Sequence, residues 1–576
     1  MTILKFLCEN RDYTIWDLYD ENTSHKVDRT HYDFDPVKCK VFNHDIIEFD
    51  EQRRFKTIVQ SCKRDLKTIP GILTFDKMYG KTKNDKYYLK VRPNDPRLPA
   101  FLVPYKAKKS AFSKKMNNKY IIFRYNNWNG KHPIGEIVHT IGDIKDLPNF
   151  YEYQLYCKNL YTSIKHFTNE TKHNLQKYSN DELIHNMIQS ETFVKEDRRD
   201  WDIITIDPEN SKDFDDAFGI KKLNRDDNMY QLSIYIANVS IWLDFLDLWG
   251  SFSQRVSTIY LPDRKRPMLP TILSDMFCSL QQDETRFAFT CDIIIHNNVV
   301  IDYSFKNCVI KVRKNYRYND ASIEDDDLYS LVFDTLKNLV DKRKYMRSNN
   351  LTETKHVVSF LMTMMNYFTA KKLMEHKNGI FRSININHGT KTYENVVPSE
   401  VAQFLVIWNS KGGQYVTFND FKGHDLLKLD TYVHITSPIR RIVDLLNSII
   451  IQNDLGLVNI SKHAQTFLDK WLSKEMIEYI NVRMRSIRKL QTQCDTLNKC
   501  VNNPHIMEKT YKGYVFDKIK RSDTLFQYMV YIPEVKMLNK YTTRLDHDNY
   551  SSHNYKMYLF EDSETFKKKI LFHLIE

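Results

Sequence analysis

The run Ile203-Ile204-Thr205-Ile206-Asp207-Pro208-Glu209-Asn210-Ser211-Lys212-Asp213-Phe214-Asp215-Asp216 decides how the chain is read. Its opening residues are apolar or β-branched, the composition of a buried strand, and Pro208, Asn210 and Ser211 mark the turn that ends it. Asp207, Asp213, Asp215 and Asp216 are therefore expected to leave one strand end together. Two unit charges about 4 Å apart repel by about 4 kcal/mol at an effective dielectric near 20, so such a cluster calls for a counter-cation. A hard divalent ion such as Mg²⁺ takes oxygen ligands and is commonly held by a few carboxylates together with substrate phosphate, the arrangement that hydrolyses a phosphodiester. The competing reading is a solvated acidic turn, since acidic side chains ordinarily sit exposed.

A chain of 576 residues exceeds what one hydrophobic core can organise, and its length predicts about three to five domains. Hydrophobic residues make up 42% and aromatic residues 13%, a folded composition, and only 14 Gly and 16 Pro leave little for flexible linkers. A formal net charge of +12 favours a polyanionic partner, and charge alone does not separate nucleic acid from an anionic membrane surface. No stretch reaches the roughly 18 to 20 apolar residues of a spanning helix, and Met1-Thr2-Ile3-Leu4-Lys5-Phe6-Leu7 lacks a secretory apolar region, so no membrane association is expected. Nine cysteines without a CxxC pair or disulfide-like spacing predict free thiols in a reducing intracellular compartment, the cytoplasm first and the nucleus as the alternative. Zinc is not indicated.

Short β-rich runs separated by polar turns fill residues 36–195, the pattern of small barrels. His44–Asp50 and Tyr87–Val91 read as strands of one module, 36–107; Tyr120–Tyr125 and Pro133–Val138 read as strands of a second, 108–195. Between them Lys106, Lys108, Lys109, Lys114, Lys115 and Lys119 are interleaved with Tyr105 and Phe112. Aromatics beside backbone-neutralising lysines suit single-stranded nucleic acid, and a plain solvated face is the alternative. Residues 196–503 carry strands first and helices later, with helical spacing over Met346–Leu373, Pro438–Leu455 and Lys462–Lys499. A β-rich tail, 504–576, opens at Thr510-Tyr511-Lys512-Gly513-Tyr514-Val515-Phe516, and residues 1–35 form an N-terminal extension with no assigned element.

A second motif stands far downstream, Thr436-Ser437-Pro438-Ile439-Arg440-Arg441-Ile442-Val443-Asp444-Leu445. With Thr205-Ile206-Asp207-Pro208 and Asp213-Phe214-Asp215-Asp216-Ala217 ahead of it, it resembles the RNB catalytic domain of the ribonuclease II and ribonuclease R family, in the version of the eukaryotic exosome-type nucleases without their N-terminal endonuclease domain. Tyr260-Leu261-Pro262-Asp263, Pro267-Met268-Leu269-Pro270, Cys278-Ser279-Leu280 and Tyr432-Val433-His434 extend the similarity. The resemblance implies a multidomain α+β fold. An RNB catalytic domain with a mixed sheet and helices, 196–503, would be flanked by OB-fold β-barrels, two cold-shock-like ones at 36–107 and 108–195 and an RNA-binding one at 504–576. It also implies a monomeric, processive 3′-5′ exoribonuclease that hydrolyses single-stranded RNA to nucleoside 5′-monophosphates at a two-Mg²⁺ site, with Mn²⁺ able to substitute. A catalytically degenerate RNA-binding member, or a nuclease acting on DNA, are the rival readings.

Carried over residue by residue, the resemblance makes Asp207, Asp213, Asp215 and Asp216 metal-site carboxylates, Asp215 being the one whose loss the family tolerates least. Arg440 would sit against the scissile phosphate, where a planar guanidinium suits the transition state, and Arg441 against the neighbouring backbone or, alternatively, solvent. Tyr260 and Tyr318 would stack on bases near the RNA 3′ end, a sequence-tolerant contact worth roughly 1–3 kcal/mol per base. His424 and His434 belong to a stretch the family uses structurally and stay outside the metal site. The chain departs from the pattern at Ser359-Phe360, where a glutamate pair implicated in recognising the terminal ribose is expected. The segment between Tyr318 and that helix, which carries the usual aromatic partner of Tyr260, is shorter than in the family. Ile442 and Tyr235-Ile236-Ala237-Asn238 also replace family residues, at positions that hold no metal.

Overall fold

The computed structural model describes every residue except Met1, 107–116, 224–227, 341–350, 385–392, 394–395, 411, 428, 564–565 and Glu576, and the side chain of Leu426. Thr2–Cys8 alternates buried Leu4, Phe6 and Cys8 with outward neighbours, so it forms a half-buried strand. It pairs antiparallel with Trp16–Asp20 on one side and Ile46–Phe49 on the other, and Lys26–Val27 and Phe55–Gln60 complete a five-stranded sheet. A closed five-stranded barrel follows, built from Ile69–Lys81, Tyr87–Pro93, Phe101–Tyr105, Lys119–Asn127 and Ile134–Asp143. Sheet and barrel share one core, in which Phe42 stacks on Phe101 with ring centroids 5.8 Å apart.

These sheets divide the N-terminal region differently from the expected 36–107 and 108–195. Tyr87–Pro93 and Lys119–Asn127 both pair with Ile69–Lys81, which makes them strands of one barrel, and the expected extension 1–35 supplies three strands of the sheet before it. Residues after the barrel are helical where β-rich runs were expected: Leu147–Cys157, Lys165–Leu175 and Asn180–Gln189 each bury an apolar stripe. Ser179 and Glu182 close the last of these with a reciprocal capping box, a start signal legible in Ser179-Asn180-Asp181-Glu182.

The next unit is a seven-stranded mixed sheet in the order Glu196–Arg198, Val299–Lys311, Thr285–His296, Met229–Ala237, Asp216–Lys222, Ile204–Asp207 and Lys314–Arg317. Ile204–Asp207 is buried throughout and lies parallel to Lys314–Arg317 and antiparallel to Asp216–Lys222. The register Ile204↔Phe218 brings the end of one strand, Asp207, beside the start of the next, Asp216. Arg198, fully buried, clamps the far side of this sheet: it donates to both carboxylate oxygens of Asp292 at 2.8 and 2.6 Å and lies 4.1 Å over the Trp201 ring. Glu196 accepts from Arg198 Nε at 2.9 Å, so Asp292→Ala removes the bidentate partner and leaves that buried guanidinium with Glu196 as its remaining carboxylate; we expect a loss of about 3 kcal/mol, read as a lower urea midpoint at unchanged m.

Helices pack on this sheet. Of the helix expected over Met346–Leu373, residues 346–350 lie outside the described residues and the described helix is Thr354–Glu375; Ile442–Asp454 begins after Arg441, because Pro438 to Arg441 form the turn that enters it. The expected continuous helix over Lys462–Lys499 is two, Lys462–Trp471 and Lys474–Asn502, divided where the Ser473 side chain accepts from Met476 N and starts the second. The chain closes with a five-stranded sheet in the order Met537–Thr543, Leu525–Ile532, Tyr511–Ser522, Ser552–Glu561, Lys568–Ile575. This sheet meets the N-terminal barrel where Tyr120 Oη donates to Phe566 O at 3.3 Å. Among the described residues no helix is long and apolar enough to cross a membrane.

Candidate active site

Asp215 is 3% exposed, and its two carboxylate oxygens are claimed by residues more than 200 positions away. Ile439 N donates to Oδ1 and Arg440 Nε donates to Oδ2, both at 3.0 Å. The turn that delivers them is itself pinned. Ser437 N donates to Asp444 Oδ1 at 2.9 Å, Arg440 Nη2 donates to Ser437 Oγ at 2.9 Å, and Ser257 Oγ and Thr258 N both donate to the Arg440 carbonyl. The Thr-Ser-Pro-Ile-Arg-Arg motif thus works as a bracket around the acidic strand end.

Burial dominates the electrostatics. It pushes the Asp215 carboxyl up to about 7, with Asp216 and Asp213 raising it further and Arg440 opposing them. Asp207 and Asp216 are raised as well, first by burial and then by repulsion, Asp215 acting on Asp207 and Asp207 on Asp216. Asp207 Oδ2 is sealed from solvent without a hydrogen-bond partner. Asp213 stands apart, its oxygens taken by Lys265 Nζ at 3.1 Å and by the Tyr260 hydroxyl at 3.2 Å; Lys265 reaches Asp275 at 3.2 Å. Among the described residues no three His, Cys, Asp or Glu side chains converge as a formed metal-binding group. The donor set nevertheless fits a hard divalent cation: three mutually repelling buried carboxylates, one of them with an orphaned oxygen, are opposed at a distance by Arg317 and Arg441 and, among the described residues, paired directly with a guanidinium only through Arg440 on Asp215.

These shifts carry a sign. A carboxyl held near 7 in the folded state and near 4 when unfolded binds more protons when folded, so stability falls as pH rises across that interval. The metal-free protein is expected to melt at a higher temperature at pH 5.5 than at pH 7.5, and saturating Mg²⁺ to flatten the difference; differential scanning fluorimetry in EDTA and in Mg²⁺ checks both.

A cavity of about 1000 Å³ opens over these groups. All four aspartates, Arg440 and Arg441 line it, and so do both predicted tyrosines. Tyr260 is partly exposed, and Tyr318 N donates to the Asp207 carbonyl at 3.0 Å, which ties its strand to the acidic one. At the expected glutamate pair Ser359 lines the cavity and Phe360 is buried in the core, so neither supplies a carboxylate. Lys106 lies exposed just beyond Phe101–Tyr105 and does not line the cavity; Lys108, Lys109, Lys114 and Lys115 lie outside the described residues.

Two basic residues escaped the sequence reading. Lys265 sits opposite Tyr260 in the hairpin Ile259–Tyr260/Lys265–Arg266, so the five-residue spacing was the available signal. Arg317 Nη1 donates to the Pro208 and Ser211 carbonyls at 3.2 Å and braces the acidic loop; only the parallel pairing of its strand with Ile204–Asp207 reveals that role.

Comparison with known proteins places these features in a class. The RNB domain family matches residues 195–327, which hold the aspartates and both tyrosines, and the Dis3-like cold-shock domain 2 family matches residues 88–150, within and just beyond the barrel. The chain is therefore a multidomain α+β protein with an RNB domain and a cold-shock OB domain. Among individual proteins, it is 26% identical over 338 residues to Ribonuclease R of Buchnera aphidicola subsp. Schizaphis graminum, covering 46% of each. It superposes over the whole of both chains, with a TM-score of 0.68 and 15% identity, on Mycoplasma genitalium RNase R in complex with ribose methylated single-stranded RNA. It also superposes on yeast Ssd1, a pseudonuclease, with a TM-score of 0.55 and 12% identity, covering 94% of this chain and 78% of that one. The matched sequence spans less than half the length of the curated relatives.

Proposed function

We propose that the chain is a 3′-5′ exoribonuclease that hydrolyses single-stranded RNA processively to nucleoside 5′-monophosphates. The observation that carries this reading is the convergence of Asp207, Asp215 and Asp216 with Arg440 at one cavity, from motifs 225 residues apart. The RNase R named among its relatives and the bound RNA of its structural counterpart support the substrate class. Asp207, Asp215 and Asp216 would hold Mg²⁺, with Mn²⁺ able to substitute and Asp213 joining once Lys265 gives way. When bound, the metal would supply an activated water and positive charge for the leaving 3′ oxygen.

The chain's own residues do the rest. Arg440, paired to Asp215 through Nε and to Ser437 through Nη2, keeps Nη1 for the scissile phosphate and is oriented before substrate arrives. Tyr260 and Tyr318 stack bases on the cavity wall, which orders the 3′ end without reading sequence. A second reading, an RNA-binding protein without hydrolysis, is favoured by the missing glutamate pair and by the pseudonuclease counterpart. Matched RNA and DNA oligomers incubated with Mg²⁺, with and without chelator, separate the two. The proposal expects RNA to shorten and DNA to persist, and chelator to stop the reaction; binding without shortening supports the second reading.

A further inference from the structure

The C-terminal sheet has the connectivity of an OB barrel: by chain position its strands run three-two-one-four-five, and Asn539 Nδ2 donates to Ile570 O, which draws strand three toward strand five. Such barrels ordinarily take oligonucleotides on the outer face of strands two and three. Here that face is occupied. Val530 faces the barrel interior, so Tyr531 faces outward, and with Leu538 of strand three and Tyr514 and Phe516 of strand one it packs against the helix Ser399–Asn409. Phe404 of that helix stacks on Tyr531 with ring centroids 3.7 Å apart and planes 3° from parallel, and Trp408 Nε1 donates to Asp517 Oδ2 at 2.7 Å.

The hairpin of strands four and five offers a different surface. Met557 and Phe572 are buried in the barrel, so the residues that alternate with them face solvent: Lys556, Tyr558 and Phe560 on one strand, opposite His573, Leu571 and Lys569 on the other. None of these six is acidic. Tyr558 is 42% exposed and Phe560 40%, two large rings about 6.8 Å apart along one strand, and an exposed apolar patch of this kind marks a site of interaction. Lysines gather beside it. Desolvation first, and then repulsion by Lys489, Lys567 and Lys569, lowers the ammonium of Lys158, which caps the helix Leu147–Cys157. Among the described residues none of these four lysines is paired with a carboxylate. Glu152 of the same helix accepts from Arg264 Nη2 at 3.2 Å, and Arg264 lines the cavity over the aspartates, so the lysines begin one short helix away from the cavity wall.

A polyanion with unpaired bases meets both demands of this surface, the rings by stacking and the lysines by charge, whereas a duplex hides its bases. We propose that Tyr558 and Phe560, with Lys569 beside them, form a platform that holds the 5′-ward part of single-stranded RNA outside the cavity. The barrel thereby binds RNA on strands four and five, and strands two and three serve contact with the helix Ser399–Asn409. The inference rests on the proposed function, which puts the 3′ end at the aspartates and leaves the upstream strand outside.

The test is equilibrium binding by the full chain in an Asp215→Asn background with Mg²⁺, using 5′-labelled oligouridylates of increasing length. Affinity of this parent should climb with length and gain about tenfold to a hundredfold once the strand spans from the cavity to the platform. The double variant Tyr558→Ala/Phe560→Ala should lose that gain and bind the shortest strands as the parent does, whereas Tyr558→Phe/Phe560→Tyr should keep it. Lys569→Gln should reduce the slope of log affinity against log salt by about 0.7 on long strands and leave it unchanged on short ones. The substituted side chains are exposed, and a melting curve beside the parent's checks that the barrel persists. Equal affinity of the parent and the double alanine variant at every length, or the same loss at every length, overturns the platform alone. So does loss of binding to phosphatidylserine vesicles with RNA affinity unchanged, the mark of a membrane-facing surface. Failure of the parent to bind RNA of any length overturns the platform and the functional reading together.

Discussion

Asp215→Asn is expected to slow hydrolysis of single-stranded RNA by about 10³-fold while RNA binding and fold survive. Asparagine keeps an oxygen for Ile439 N, so the bracket formed by residues 436–441 has no reason to open. It removes the charge that Arg440 and the proposed metal would require, and turns an amide donor toward a guanidinium that needs an acceptor. Stability should move the other way from activity, because burial already penalises the charged Asp215 and the neutral amide relieves that penalty in the metal-free protein. Single-turnover cleavage of a 5′-labelled oligomer, beside a melting curve, reads both. A variant that cuts at the parent rate removes Asp215 from the chemistry.

Arg440→Met should cost about 10²- to 10³-fold in kcat, with a smaller change in KM, since the guanidinium contributes most where charge accumulates on the phosphate. Its side chain is also the main cation opposing the acidic cluster, so the substitution pushes the Asp215 carboxyl up further. The residual activity should therefore recover more steeply with rising pH than that of the parent. Arg440→Lys keeps the charge but loses the planar fork that serves Asp215 and Ser437 together, and should fall between the two. Equal losses for Lys and Met would mean that geometry, and not charge, is what Arg440 supplies.

The RNB half of the molecule was legible in the sequence because its motifs are written in contiguous runs. Residues 203–216 announce a buried strand ending in carboxylates, and the structure puts Ile204–Asp207 where that reading requires. Long-range geometry was not legible. Nothing in the order of residues says that Arg440 grips Asp215 while Arg441, next in line, turns to Asp444, or that Lys265 takes Asp213. The same holds for Tyr415 and His434, 19 residues apart and joined only by the fold. The N-terminal boundaries failed for a different reason. Thr2–Cys8 has the period-two alternation of a strand, yet its pairing with Ile46–Phe49 spans the assumed boundary at residue 36, and a local reading does not see across such a gap. The helices over 147–189 were hidden by aromatic and β-branched residues that favour strands locally, while packing against the barrel and the RNB sheet makes them helical.

The most direct measurement is the product spectrum of the purified full chain acting with Mg²⁺ on a single-stranded RNA labelled at its 5′ end. The account predicts a ladder that shortens from the 3′ end one nucleotide at a time, with nucleoside 5′-monophosphates as the released product. Internal fragments, 3′-phosphorylated products, or RNA that stays bound and intact would contradict it.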